Sequence, residues 1–317
     1  LNTLQSGIEV RRAVDEKKPG QVVIVGGGYI GLEMAENFVR RGLNVTIVEK
    51  TPQVMNTLDP DMAAQINKTL QEARLKLCLN ESLKGFDIGE EEVRGVVTDQ
   101  RTLPADLVLL GLGVRPNSAL AGKAGIPLGK TGGIKVNERM RTEAQGVWAT
   151  GNCCESLHLV SRRPFFLPLG TVANKQGRVA GINIAGGQAT FPGVAGTAMV
   201  KVFELEVART GLQEREAREL GLPYITAKIE TQTRARYYPG TGEMTVKILA
   251  EKGTGRLLGG QIVGREGAGK RIDVLATALH SGLTVEDMIN LDLGYSPPFS
   301  AVWDPVQIAA RQAANLV

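Results

Sequence analysis

Residues 21–33 read Gln21-Val22-Val23-Ile24-Val25-Gly26-Gly27-Gly28-Tyr29-Ile30-Gly31-Leu32-Glu33. The apolar run before the glycines predicts a buried parallel strand. The glycines follow a Gly-x-Gly-x-x-Gly pattern, and the residues from Tyr29 to Arg41 have the spacing of a helix that ends at Gly42. A strand, a glycine turn and a helix in this order predict a unit that binds a dinucleotide.

Each glycine of the pattern has its own expected role. Gly26 makes the tight turn, Gly28 lets a pyrophosphate approach the backbone, and Gly31 lets the helix pack closely on the strand. The helix start offers unpaired N–H groups and the positive end of its dipole to the phosphates. The alternative is a glycine-rich turn without a ligand, and the order of the surrounding elements argues against it.

A second strand, Asn44–Val48, ends at Glu49, about twenty positions after Gly28, where dinucleotide-binding units carry an acid. A carboxylate there can hold both hydroxyls of an adenosine ribose. It also favours NADH, because it repels the 2′-phosphate of NADPH, although the neighbouring Lys50 can soften that preference. The alternative for Glu49 is a solvated acid at a strand end.

A third set of candidates follows the apolar strand Ala105–Leu110, whose glycine-rich end falls at the edge of the sheet where ligands bind in such folds. A plain exit from a strand into a turn is the alternative there. In total, we expect nucleotide contacts from Gly26, Gly28, Tyr29, Ile30, Gly31, Glu33, Glu49, Lys50, Gly111 and Gly113.

Composition excludes several classes of function. The 317 residues include 37 Lys and Arg against 33 Asp and Glu, and the resulting charge of +4 is too mild and too scattered for a nucleic-acid partner. No apolar run reaches the roughly eighteen residues of a membrane span. Three cysteines give no disulfide framework, so we expect a reducing cytoplasm. Leu1 replaces an initiator Met and no signal peptide follows, so we expect the chain to begin inside a longer protein.

The rest of the first half is predicted to complete an α/β domain around the dinucleotide unit. Asp59 is expected to cap a helix, Cys78 to be a core residue, and Glu90-Glu91-Glu92 to form the solvated tip of a hairpin. The predicted elements are a helix over 4–16, a turn over 17–20, a helix over 60–73, a strand over 75–79 and hairpin strands over 83–88 and 93–98.

Two further regions have different patterns. Short strands predicted over 133–137 and 146–150 end at Gly151-Asn152-Cys153 and face a helix over 172–185, which makes a second ligand crevice. From Gly196 onward, grouped strands and grouped helices predict an antiparallel α+β domain. Its predicted strands cover 197–204, 224–231, 244–250 and 257–263, and its helices cover 213–220, 270–281 and 284–290, with a last helix after Pro305.

Three stretches, Val25–Glu36, Gly146–Cys153 and Tyr295–Pro305, resemble the pyridine nucleotide–disulfide oxidoreductase family. The likeness is closest to the branch of coenzyme A disulfide reductases, NADH oxidases and NADH peroxidases. It implies FAD in the second crevice, where the matching residues are Gly151, Asn152, Leu169, Gly170, Thr171 and Ala173. The family has Asp at the position of Asn152, and an Asn can hydrogen-bond a hydroxyl but carries no charge.

The family also has a first glycine motif for the FAD adenosine and a redox-active cysteine, and neither is found in residues 1–317. We expect both to precede Leu1 in a parent protein, so this chain alone should hold little flavin and should not reduce disulfides with NADH. The adjacent Cys153 and Cys154 match a position that is often a structural cysteine in the family, and we interpret them as structural.

The tail lacks the His-x-x-x-x-Glu dyad of the glutathione reductase branch and has Tyr295-Ser296-Pro297-Pro298-Phe299 instead. In the coenzyme A disulfide reductase branch, tyrosines of the partner subunit reach the cysteine site. Tyr295 matches one of them, and Tyr237 or Tyr238 matches the other. The alternative is an aromatic pair at a dimer interface. Neither His158 nor His280 is given a role.

The predicted fold is therefore α/β in class: a helix over 1–16, a Rossmann-type NAD(P) domain over 17–117, the C-terminal half of a split FAD domain over 118–195 and an α+β dimerisation domain over 196–317. The resemblance implies a homodimeric flavoprotein that passes a hydride from NADH to FAD and on to a cysteine-linked centre. Its small-molecule substrate would be a coenzyme A disulfide or persulfide, oxygen or peroxide. The alternative is a non-catalytic dinucleotide-binding dimer module. A flavin-independent dehydrogenase is disfavoured, because no His or Lys is placed as a proton donor near either glycine turn.

Overall fold

The computed structural model of the chain describes residues 1, 3–90 and 92–317. Its first part alternates strands and helices as the sequence predicts, and it adds a short strand and a short helix. In chain order this part contains α1 (Leu4–Lys17), β1 (Gln21–Val25), α2 (Tyr29–Arg40), β2 (Asn44–Glu49), α3 (Pro60–Glu72), β3 (Lys76–Leu79), β4 (Leu83–Ile88), β5 (Val93–Thr98), β6 (Thr102–Pro104), β7 (Leu107–Leu110) and α4 (Ala119–Lys123).

A four-stranded parallel sheet with the order β3-β2-β1-β7 lies at the centre of this part. Its central strand is apolar because both faces are covered, and Val22 to Val25 are all buried. Leu32, Ala35 and Phe38 of α2 are buried in the same core cluster as Ile24. The predicted parallel α/β unit is confirmed.

The predicted hairpin β4–β5 is present, and β6 extends it to a three-stranded antiparallel sheet that the sequence pattern did not predict. The amide of Gly89 donates to the carbonyl of Glu92 at 2.8 Å and closes the turn. Glu91, at the expected tip, lies outside the described residues.

The middle of the chain contains little regular structure besides one long helix. The two strands predicted over 133–137 and 146–150 are wrong, because these segments form only isolated bridges, from Ile134 to Leu128 and Cys154 and from Trp148 to Arg141. The long helix begins at Gly170, earlier than predicted. The elements are a 3-10 turn (Gly151–Cys153), β8 (Ser156–Leu157), β9 (Pro164–Phe165) and α5 (Gly170–Ile184).

The last part has a five-stranded antiparallel sheet with the order β10-β11-β14-β13-β12. The single strand predicted over 197–204 is wrong at its end, because Phe203 adopts a left-handed backbone (φ 52°) and turns the chain into a second strand. The elements are β10 (Ala198–Val202), β11 (Leu205–Gly211), α6 (Glu214–Glu219), β12 (Tyr224–Gln232), β13 (Glu243–Glu251), β14 (Leu257–Gly264), a 3-10 turn (Gly269–Arg271), α7 (Ile272–Ser281), α8 (Val285–Ile289) and α9 (Pro305–Ala314).

The capping box predicted at α8 is confirmed, since Thr284 and Asp287 exchange side chain-to-backbone hydrogen bonds of 3.1 and 2.9 Å. Over the described residues, no helix has the length and apolar character needed to span a bilayer.

The dinucleotide unit and the antiparallel sheet are joined by one continuous core. Val200, Val202 and Val207 belong to the same buried apolar cluster as Phe38 and Ile24. At the edge of this contact, the amide of Phe203 donates to the carboxylate of Glu36 at 2.7 Å. The position of the sheet is therefore coupled to the glycine turn through packed side chains.

Candidate functional site

A cavity of about 480 Å³ lies at the carboxyl ends of β1, β2 and β7. Ligands bind at this edge in open α/β sheets, and the volume lies within the usual range for small-molecule sites. Seven of the predicted residues line it: Gly26, Gly28, Tyr29, Glu49, Lys50, Gly111 and Gly113.

Two of the glycines are required by close backbone contacts. Gly26 has a φ of +110°, and a Cβ there would overlap the carbonyl oxygen of Gly111. A Cβ at Gly31 would overlap the carbonyl oxygen of Gly26, so the close packing expected at this position is present. By contrast, nothing lies within 4 Å of a Cβ built on Gly28, which faces open space at the cavity.

The start of α2 is available to an anion. Its N-cap is Gly28, which has no side chain to accept a hydrogen bond from the first turn. The N–H groups of that turn therefore have no side-chain capping acceptor, and Gly28 and Tyr29 at this helix start line the cavity. This is the arrangement that the sequence predicts for a pyrophosphate.

Glu49 is not the solvated acid of the alternative interpretation, since only 7% of it is exposed. Its Oε2 accepts a 2.8 Å hydrogen bond from the amide of Gly27, and its Oε1 accepts a 3.0 Å bond from the amide of Thr51. The Thr51 hydroxyl lies 2.8 Å from the same Oε1. A carboxylate has about four acceptor positions, so Glu49 both braces the glycine turn and keeps capacity for a ligand hydroxyl.

Three predicted contacts do not line the cavity. Ile30, Gly31 and Glu33 lie on α2, and the side chain of Glu33 is exposed to solvent. In their place the cavity has walls that sequence reasoning missed, formed by Met55, Asn56 and Thr57 on one side and by 81–83 on the other. No motif indicates these segments, because they reach the cavity only through the path of the loops after β2 and β3.

The second crevice brings together the two segments that the sequence predicts there. A Cβ on Gly151 would lie 3.4 Å from the Cβ of Ala173, so the 3-10 turn contacts the first turn of α5. Leu169 is the N-cap of α5 and gives no side-chain cap, which leaves the N–H groups of Gly170 and Thr171 available. Asn152 is exposed beside them.

Gln176, which sequence reasoning missed, fixes this turn from behind. It is fully buried, accepts a 2.8 Å hydrogen bond from the amide of Gly151 and donates a 2.9 Å bond to the hydroxyl of Ser156. The available signal was a polar residue on the buried face of the helix, between Val172 and Val179.

The three cysteines are free thiols, and their surroundings support a structural role. Burial, followed by the neighbouring Cys153, raises the pKa of Cys154 to about 12, so its thiolate does not form near neutral pH. The thiol of Cys153 donates to the carbonyl of Thr150 at 3.2 Å. Cys78 is buried in the core, as predicted, and burial also raises its pKa.

The structure places Tyr295 close enough to Tyr237 for their hydroxyls to interact. Partial desolvation, followed by the charge and hydroxyl of Tyr295, raises the pKa of Tyr237. Both side chains are largely exposed, at 77% for Tyr237 and 50% for Tyr295, whereas Tyr238 is half-buried. The Arg271 guanidinium holds their two segments together, because it donates to the carbonyls of Thr233 and Phe299, each at 2.7 Å.

His158 has a structural explanation. It is 2% exposed, and burial lowers its pKa to about 4, so the ring is neutral near pH 7. Its Nδ1 accepts a hydrogen bond from the amide of Ser161, and its ring meets Phe165 edge-on at 5.0 Å between centroids.

A buried ionic cluster, also missed from the sequence, lies where α3 meets the antiparallel sheet. The Lys247 ammonium is 3.0 Å from Asp59, 2.8 Å from Asp61 and also hydrogen-bonded to Glu214. The three carboxylates are close enough together to hold a metal ion, but the ammonium accounts for their arrangement. The Asp59 side chain is used here and in a hydrogen bond to Gln261, so Asp59 is the N-cap residue of α3, as predicted, but its side chain makes no hydrogen bond to the first turn.

Comparison with known proteins shows what class of protein these sites belong to. The sequence profile of the pyridine nucleotide-disulphide oxidoreductases matches residues 3–180, and the profile of the dimerisation domain of the same group matches residues 197–305. The chain therefore belongs to the pyridine nucleotide-disulphide oxidoreductase family.

Individual relatives agree with this assignment. The chain is 40% identical over 313 residues to an NAD(P)H coenzyme A polysulfide/persulfide reductase of Pyrococcus horikoshii, covering 96% of this chain and 68% of the relative. It is 38% identical to an NADH oxidase of Methanocaldococcus jannaschii, covering 99% and 69%. A solved NAD-dependent persulfide reductase from A. fulgidus superposes with a TM-score of 0.96 at 39% identity. The chain is covered to 99% in that match but spans only 58% of the solved protein.

Proposed function

We propose that this chain supplies the nicotinamide-dinucleotide site and the dimerising domain of an NAD(P)H-dependent flavoprotein oxidoreductase. The cavity at the carboxyl ends of β1, β2 and β7 carries this proposal, because it combines an open glycine turn, an uncapped helix start and the buried acid Glu49. The turn would hold the pyrophosphate, and the remaining acceptor position of Glu49 would hold a ribose hydroxyl.

The second crevice fits part of a flavin. The N–H groups at the start of α5 can bind a carbonyl or phosphate oxygen, and the exposed amide of Asn152 can hydrogen-bond a ribityl hydroxyl. When bound, FAD would supply the ring that takes a hydride from the nicotinamide. The role of Gln176 would be to keep the Gly151 turn in place for this contact.

The substrate proposed is a coenzyme A disulfide or persulfide, because relatives named coenzyme A polysulfide/persulfide reductase and coenzyme A disulfide reductase align with nearly the whole chain. Oxygen or peroxide is the second possibility, and a relative named NADH oxidase supports oxygen. The exposed pair Tyr237 and Tyr295 supports a sulfur substrate. Two adjacent hydroxyls on a surface domain can donate hydrogen bonds to an oxidised centre in the partner subunit, and Arg271 keeps both segments in register.

NADH should bind to the chain more tightly than NADPH, by about tenfold, which is the effect of about 1.4 kcal/mol of repulsion between Glu49 and the 2′-phosphate. Glu49→Gln removes the charge and keeps an acceptor oxygen for only one of the two amides, Gly27 or Thr51, so it should bring the two dissociation constants close together while lowering the stability of the turn. Lys50→Gln should widen the gap, because it removes the only cation beside the acid in the cavity lining. Titration of NADH and NADPH fluorescence measures both constants. Equal constants for the two cofactors in the unmodified chain would contradict the role of Glu49.

The chain should form a homodimer through the tail that follows Tyr295. Phe299, Val302 and Trp303 are 75%, 71% and 45% exposed, and they lie next to one another on a segment stiffened by Pro297 and Pro298. A preorganised apolar segment is ordered at low entropic cost when a partner covers it. Light scattering across a range of concentrations should give twice the mass of one chain.

A charged residue in this segment should separate the dimer. Phe299→Asp should raise the dimer dissociation constant at least about tenfold, because an apolar anchor at an interface centre contributes about 2 kcal/mol. Ile88→Asp is the matched control, since Ile88 is 67% exposed on the β4–β5 hairpin, outside the dimerisation domain. A monomer mass for the unmodified chain at tens of micromolar would refute the homodimer.

A further inference from the structure

One wall of the nucleotide cavity is a loop without regular structure. The loop joins β2 to α3, and its residues Met55, Asn56 and Thr57 line the cavity. Val54, Met55 and Leu58 are buried in the core, the amide of Met55 donates to the carbonyl of Gly27 at 2.9 Å, and the amide of Leu58 donates to the carbonyl of Met55. These contacts leave the carbonyls of Asn56 and Thr57 in need of other donors.

That support comes from the antiparallel sheet. Arg209 of β11 is 5% exposed, and its Nη1 donates a 3.0 Å hydrogen bond to the carbonyl of Thr57. The other end of the guanidinium is fixed by Gly211 and by a 3.1 Å ion pair with Glu216. Next to Arg209, the side-chain amide of Gln213 donates to the backbone carbonyl of Asn56 at 3.4 Å. A planar guanidinium fixed at two sides is a rigid donor, so the Thr57 carbonyl has a defined position.

The residue after the loop is anchored in the same way. Gln261 of β14 accepts from the amide of Asp59 at 2.8 Å and donates to its carboxylate at 2.7 Å. The amide of Glu214 and the ammonium of Lys247 bind the same carboxylate, each at 3.0 Å. Side chains of three strands and a helix start therefore fix the loop from one side.

From the other side, the loop is bonded to the residues that would meet the nucleotide. The Thr57 hydroxyl is 3.3 Å from the hydroxyl of Tyr29, at the start of α2. The side-chain amide of Asn56 donates to the hydroxyl of Thr51 at 2.7 Å. The backbone amide of Thr51 in turn donates to the carboxylate of Glu49. The wall thus connects Arg209 with both the glycine turn and the acid.

We propose that Arg209 is a positioning residue for the dinucleotide, through which the dimerisation domain presets the shape of a site formed by another domain. The proposal deepens the proposed function and rests on it. A loop that is already held in its binding conformation loses less conformational entropy when the ligand binds, so the ligand binds more tightly. Arg209 does not line the cavity, so its effect must pass through the Asn56–Thr57 backbone.

The test compares two arginines in the purified 317-residue chain. Arg209→Met keeps the unbranched apolar stem of the side chain and removes the guanidinium with its donors. Arg271→Met is the matched control, because Arg271 is also an ion-paired, largely buried arginine that donates to backbone carbonyls of the same domain, none of which lines the cavity. NADH dissociation constants are measured by fluorescence, and the midpoint of thermal unfolding is recorded for each chain.

We expect Arg209→Met to raise the NADH dissociation constant about threefold to tenfold, the range for ordering one or two groups on binding. Arg271→Met should lower the unfolding midpoint but leave the dissociation constant within about twofold. An unchanged constant in Arg209→Met, or an equal rise in both variants, overturns the proposal. If Arg209→Met does not fold, Arg209→Lys decides, because a lysine keeps the charge beside Glu216 but cannot also hold the Thr57 carbonyl. No NADH binding by the unmodified chain would instead refute the proposed function, and this inference with it.

Discussion

Replacing Gly28 with alanine should weaken NADH binding by about tenfold to a hundredfold while leaving the fold unchanged. The backbone of Gly28 has φ −86° and ψ −169°, which alanine adopts without strain, and no atom lies within 4 Å of the added Cβ. The methyl group therefore fits the protein without nucleotide. It fills the space in which a pyrophosphate would approach the turn, and overpacking of this kind costs about 1–3 kcal/mol.

Two alanine variants make this result specific. Gly31→Ala places a Cβ against the carbonyl oxygen of Gly26, so it should lower the unfolding midpoint as well as the NADH affinity. Gly177→Ala, in the interior of α5, meets no neighbouring atom and should bind NADH normally, with a gain in stability of up to about 1 kcal/mol. Normal NADH affinity in Gly28→Ala would mean that no phosphate lies against this turn.

The part of the site that could be predicted depends on local sequence. The glycine turn, Glu49 and Gly111 follow directly from strands whose apolar residues mark their ends, so these residues could be placed at one sheet edge. The capping box of Thr284 and Asp287 needs only residues three apart, and it too was predicted correctly.

What could not be predicted depends on contacts between distant residues. Arg209 and Thr57 are separated by 152 positions, and no spacing rule joins them. The turn between β10 and β11 could not be recognised from the sequence. Phe203 has a left-handed backbone there, and a large apolar residue is typical of a strand and not of a turn. Asp59 occupies the N-cap position of α3 as expected, but stronger partners in another domain take its carboxylate.

Replacing Lys247 with methionine should lower the free energy of unfolding by about 3 kcal/mol at pH 7. The Lys247 side chain is 6% exposed, and its ammonium is shared by Asp59, Asp61 and Glu214. Removing one partner of a buried ion pair costs about 3–5 kcal/mol, because the opposite charges remain buried without compensation, and partial exposure of Asp61 and Glu214 favours the lower end. Denaturant unfolding measures the change.

Lys228→Met is the matched control for this prediction. Lys228 contacts the same carboxylate of Asp61 at 3.3 Å, but its side chain is 38% exposed, and such pairs contribute about 0–1 kcal/mol. The two substitutions thus differ in the burial of the lysine and in the number of carboxylates that lose a cation, three for Lys247 and one for Lys228. A loss in Lys228→Met as large as that in Lys247→Met would contradict the argument from desolvation.

The effect of Lys247→Met should also depend on pH, with a sign fixed by the cluster. Burial by itself raises the pKa of Asp61, but the hydrogen bonds and charges of Lys247 and Lys228 bring it below its ordinary 3.8. Its contribution to stability is therefore complete above that value and is lost as the pH falls through the lower folded-state pKa.

The pKa of Lys247 is shifted in the opposite direction. Burial lowers it, but hydrogen bonds to Asp61 and Glu214 and the charge of Asp59 raise it above 10.5. The contribution of Lys247 to stability is therefore present below that value and is lost only at higher pH. The difference between the unmodified chain and Lys247→Met should be largest near neutral pH and shrink as the pH falls, because the clustered carboxylates of the variant take up protons and no longer need a counter-charge. A difference that stays the same at pH 3 would mean that Lys247 stabilises the fold by packing and not by charge.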